Sequence, residues 1–133
     1  MKMIRIALLG LMLLTPATAQ ATADDLRSVS GMETHNRALL VFAPSLADPR
    51  MTRQHAIMAQ LAVQAAARDL LFVQVDKTRV IGSHDTADSL RRRFRVPLGT
   101  FRVVLIDKNG HTVLAAPAPL AGGAIIRAID ARR

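Results

Sequence analysis

Ser45, Asp48 and Arg50 place a hydroxyl, a carboxylate and a guanidinium within one short stretch, interleaved with Pro44 and Pro49. A serine nucleophile needs a base within hydrogen-bond reach. No His and Asp are spaced to supply one, and a serine after a proline reads first as turn chemistry. Asp48-Pro49 is a helix start, because the aspartate caps an orphan N–H and proline at the first helical position lacks only an N–H that would be unpaired. The end of such a helix carries partial positive charge, to which Arg50 adds a full one, so a carboxylate or phosphate could dock there. Pro97 and Leu98 are the other candidate binding residues, lying just before an apolar run that ends at Asp107.

The chain contains no cysteine. Disulfides, thiol catalysis and thiolate metal sites are therefore excluded together. His35, His55, His84 and His111 form no H-x-H or H-x-x-x-H pair, so no metal site is expected. No catalytic residue and no cofactor are assigned.

The 133 residues allow one domain. Four Phe are the only aromatics, with no Trp or Tyr, which leaves almost nothing on which bases or sugars could stack. The formal charge is +8, carried almost wholly by arginine, and Glu33 is the only glutamate. A charge of this kind supports solubility and adhesion to anionic surfaces rather than recognition of nucleic acid. The run of Arg91, Arg92, Arg93 and Arg95 is expected to be a solvated helix face.

At the start, Lys2 and Arg5 precede an apolar stretch at 6–14 and the small residues Ala17-Thr18-Ala19. This is the pattern of a secretory signal peptide, cleaved after Ala19 or, at a second A-x-A, after Ala23. The apolar stretch is too short to span a bilayer permanently. Without a cysteine to lipidate, a periplasmic or secreted destination follows. Residues 20–36 are polar and read as a linker with one helical turn at most.

From Arg37 the elements follow in order. Residues 39–43 are apolar without alternation, as in a strand covered on both faces. A helix of about eighteen residues follows from Asp48-Pro49, with Ile57, Met58, Leu61 and Ala65 on one face. Residues 70–75 form a second strand, parallel to the first through a right-handed crossover. A loop at 77–84 leads to a short helix capped by Asp85 or Ser83, with Ala87, Leu90 and Phe94 inward and Asp88 paired to Arg92. Val96-Pro97 ends it. Residues 101–107 and 112–116 are strands joined at Asn109-Gly110, a strong hairpin signal. Residues 124–131 form a last helix. The expected fold is α/β, a four-stranded mixed sheet of order 2-1-3-4 flanked by helices, with the third strand antiparallel to the first.

Phe42-Ala43-Pro44-Ser45 with Asp48-Pro49-Arg50, Arg68-Asp69-Leu70, Leu90-Arg91 with Phe94, Val96-Pro97, and Phe101 with Leu105-Ile106-Asp107-Lys108-Asn109-Gly110 occur in this order. Together they resemble the domain of unknown function 4174 family, over Arg37 to the end of the chain. The resemblance implies a thioredoxin-like or peroxiredoxin-like fold in small secreted proteins, and implies no activity. Laid over a thioredoxin motif, Leu46-Ala47-Asp48-Pro49 occupies the place of Cys-Gly-Pro-Cys. Neither leucine nor proline can exchange a disulfide. Pro97 falls where such folds place a cis-proline that receives an extended peptide.

The expectation is an exported, redox-inactive thioredoxin-like module that binds a peptide or protein through Ser45, Asp48, Arg50, Pro97 and Leu98. The alternatives are a thiol-independent enzyme at the same corner and adhesion to anionic envelope components through the arginines.

Overall fold

A computed structural model describes residues 28–32 and 35–132. The elements are α1 (Val29–Met32), β1 (Arg37–Phe42), α2 (Pro49–Gln60), α3 (Ala62–Ala67), β2 (Leu70–Val75), β3 (Val80–Ile81), α4 (Ala87–Phe94), β4 (Arg102–Ile106), β5 (Thr112–Ala116) and α5 (Gly122–Asp130). The leader lies outside the described residues.

Strand β1 lies at the centre because its apolar run can be covered on both faces. It pairs parallel with β2 and antiparallel with β4, so that Leu40 sits between Val73 and Val104. Leu39 and Val41 join Met51, Met58, Ala65, Val103, Leu105, Ile125 and Ile129 on the side of α2, α3 and α5. Ala38, Leu40 and Phe42 join Val29, Val73, Val75, Leu90 and Val104 on the side of α1 and α4. The sheet is thus the middle of three layers, which explains why residues 39–43 show no alternation.

The sheet has five strands in the order β3-β2-β1-β4-β5. This corrects the four-stranded expectation. The four members β2-β1-β4-β5 have the expected order and directions, and the added member, β3, pairs antiparallel with Gln74 and Val75 from inside the segment read as a loop. Two residues at an edge carry no periodicity, so the sequence offered no signal for it.

Four local expectations are also corrected. The long helix breaks at Leu61, whose backbone (φ −93°, ψ 7°) leaves the helical range and whose side chain lies across Gly122 at the start of α5. The cap of α4 is Thr86, whose Oγ1 accepts the Ser89 amide at 3.2 Å. Asp85 instead accepts the Val29 amide at 2.7 Å and the Ser83 hydroxyl at 2.9 Å, tying α1 to the body of the fold. Arg91 is buried rather than solvated, and lies 3.9 Å from Asp88. Upstream of Arg37, Val29 is fully buried, so the core extends into the segment read as a linker.

Candidate functional site

The chain leaves β1 at Ala43, whose amide donates to the Val75 carbonyl at 2.9 Å, and turns at 44–48. Ser45 closes that turn twice. Its carbonyl accepts the Asp48 amide at 3.1 Å and its Oγ accepts the Ala47 amide at 3.0 Å. The hydroxyl is therefore part of a serine turn, and among the described residues no imidazole is hydrogen-bonded to it.

Asp48 caps α2 by accepting the Arg50 amide at 2.9 Å. The Arg50 guanidinium grips the same carboxylate as a fork, Nε to Oδ1 at 3.0 Å and Nη2 to Oδ2 at 2.8 Å. The Arg50 side-chain hydrogen bond holds the Asp48 carboxyl below its ordinary range against a smaller upward push from burial. The same bond raises Arg50. The positive end of α2 is thus occupied by its own aspartate, and the cation beside it is paired with the same carboxylate.

Arg50 also reaches across the pole. Its guanidinium carbon stands 4.8 Å from the centroid of Phe101, a buried ring just before β4. Residues 97–100 form a turn closed by the Thr100 amide on the Pro97 carbonyl at 3.2 Å. Gly99, at φ +84°, takes the third position that a type II turn reserves for glycine. Leu98 is left 62% exposed at its tip, whereas Leu46 folds inward onto the core.

Of the five residues singled out in the sequence, the structure joins Asp48 and Arg50 directly and brings Arg50 onto Phe101, three residues beyond Leu98. No hydrogen bond among the described residues joins Ser45 to Arg50, Pro97 or Leu98. Sequence reasoning missed a cavity of about 380 Å3 lined by Pro49, Arg50, Arg53, Ala118 and Pro119. It exists because the loop after β5 is held against α2, and only a three-dimensional arrangement could reveal it.

A parallel β1–β2 pair with a helical crossover, extended antiparallel through β4 and β5 and covered by helices on both faces, defines a thioredoxin-like α/β fold. A crystal structure of reduced 2-Cys peroxiredoxin from Plasmodium vivax superposes with a TM-score of 0.60. The match covers 77% of this chain and 80% of that chain at 16% identity, a likeness of fold alone. This chain has no cysteine to act as a peroxidatic nucleophile. No curated protein matches it by sequence. The chain belongs to the family described as Domain of unknown function (DUF4174), whose model matches residues 28–133.

Proposed function

We propose that this chain is an exported, redox-inactive thioredoxin-like module that binds a peptide or protein at the pole formed by residues 44–50 and 96–100. The observation that carries this reading is the pairing of an outward Leu98 on a fixed turn with Arg50 braced between Asp48 and Phe101. An exposed apolar side chain and an oriented cation at one pole are the kinds of group that anchor a peptide. The groups that would perform chemistry there are already committed, Ser45 to its turn and Asp48 to its cap.

Panning a random peptide library on the wild-type protein tests it. Enriched peptides should bind saturably, and Leu98→Asp combined with Arg50→Ala should weaken them at least about tenfold, the loss of one hot-spot contact. Peptides that bind the double variant as well as the wild type would remove this pole from consideration. Export has its own test. Protein recovered from a bacterial periplasm should begin at Gln20 or Asp24, whereas retention of residues 1–19 in the cytoplasm would overturn the leader.

A further inference from the structure

We propose that a second cavity, at the opposite end of the sheet from the corner, binds a compact carboxylate about the size of benzoate. The cavity measures about 350 Å3 and lies between the start of β1, the β4–β5 turn and the end of α5. Arg37, Asp107, Lys108, Asn109, Val113 and Arg132 line it above the buried Leu105 and Ile129.

The charges around it are unequally committed. Asp107 is turned into the hairpin, its Oδ1 accepting the amides of Asn109 at 3.2 Å and His111 at 3.1 Å. Lys108 is paired with Asp69 at 2.8 Å. Arg37 uses one Nη on the Arg68 carbonyl at 2.7 Å, which leaves the rest of its donor fork available. The Arg132 side chain has no acidic partner among the described residues. Two guanidinium groups thus face a space whose carboxylate is already engaged. Asp107 keeps its full charge and the carbonyl end of α5 adds about half of one, so about one and a half charges oppose an anion, fewer than the two that the guanidinium groups bring.

Shape limits the ligand further. Leu105 and Ile129 are closed to water, so the floor is shallow and offers no channel for a long acyl chain. Half-buried Val113 and the arginine stems form one apolar wall. A planar carboxylate with a small apolar body satisfies both the forks and the wall.

Amide NMR titration of the full chain with sodium benzoate, and with benzyl alcohol as the neutral match, tests this site. Benzoate should give saturable shifts centred on residues 37, 107–109, 113 and 129–132. Arg132→Gln should weaken it by at least about fivefold through loss of a charge-assisted bond. Val113→Trp should abolish it by filling the space. The site is refuted by shifts centred on 44–50, by equal binding of benzyl alcohol, by absence of saturation, or by unchanged affinity in the Arg132→Gln protein, whose substitution on the exposed chain end leaves the fold intact.

Discussion

Gln54 and Leu120, sixty-six residues apart, exchange two hydrogen bonds. Gln54 Nε2 donates to the Leu120 carbonyl at 3.0 Å, and the Leu120 amide donates to Gln54 Oε1 at 2.7 Å. The glutamine is fully buried and acts as a side-chain strand, holding the loop after β5 against α2. This clasp shapes the cavity beside Arg50. Gln54→Leu would leave both Leu120 backbone groups without a protein partner, at a cost of about 2–4 kcal/mol. Gln54→Glu should cost no less, because it sets a carboxylate against a carbonyl. Urea unfolding midpoints read both, and a loss smaller than about 1 kcal/mol in Gln54→Leu would show the clasp to be dispensable.

Two glycines with positive φ should respond differently to alanine. At Gly82 (φ +103°) an added Cβ would run into the Phe72 carbonyl oxygen, so both strain and a backbone clash arise. At Gly99 (φ +84°) the space is open and only the strain remains. Gly82→Ala is expected to lose more than about 2 kcal/mol and Gly99→Ala about 1 kcal/mol. Thermal melting of the two variants side by side checks the order, and equal losses would contradict the close approach at Phe72.

Asp76 gives stability a defined acid dependence. Burial pushes its carboxyl up, but hydrogen bonds from the Thr78 and Arg79 amides and the Arg79 guanidinium more than offset this and bring it to about 2. A folded value below the unfolded one, about 3.9, means stability that is complete above pH 4 or so and is lost as pH falls toward 2. Asp48 is lowered as well, so Asp76→Asn should flatten that slope without removing it. Chemical unfolding at pH 5, 4, 3 and 2.5 measures the difference. Identical slopes in wild type and Asp76→Asn would refute the assignment.

Arg95 ends α4 in the left-handed conformation at φ 57°. Its amide and that of Val96 both return to the Arg91 carbonyl, the latter at 3.0 Å. Glycine is the residue this geometry favours. Arg95→Gly should therefore stabilise the protein by about 0.5–1 kcal/mol, the relief of left-handed strain less the added freedom of the unfolded chain. A lowered melting temperature would mean that the arginine side chain makes a contribution the backbone does not reveal.

What the sequence made legible was whatever local pattern or two-sided burial imposes. The centre of β1 stood out as an uninterrupted apolar run and β2 as one broken only by Gln74, Asp48-Pro49 as a helix cap, and Asn109-Gly110 as a turn whose glycine indeed takes φ +82°. What stayed hidden depends on distant backbone. Gln54 carries no local sign of burial until Leu120 is placed against it, and Arg91 reads as one more exposed arginine. At the corner, Arg50 reads as a free charge rather than as a grip on Asp48, whereas the Asp48 cap itself could be read from the sequence. The Phe101 ring beneath Arg50 and the Arg53–Pro119 cavity could not, because helix and strand meet there only after the sheet has formed.

Arg91 is the sharpest test of that distinction. Only 8% exposed, it donates from Nη2 to the Asp76 carbonyl and from Nη1 to the Lys77 carbonyl at 3.3 Å. These bonds fasten α4 to the turn that follows β2, the same turn in which the Asp76 carboxylate receives the Thr78 and Arg79 amides. Arg91→Met keeps much of the packed stem but leaves two carbonyls short of a donor, with an expected loss of about 2–3 kcal/mol. Arg91→Lys should recover little, since one ammonium lacks the planar fork that reaches both oxygens. By contrast, Arg92→Met, on the exposed side of the same helix, should stay within about 0.5 kcal/mol of wild type. Hydrogen exchange at Thr78 and Arg79 should accelerate in the Arg91 variants alone, and unchanged protection there would show that α4 and the 76–79 turn are held by something other than this side chain.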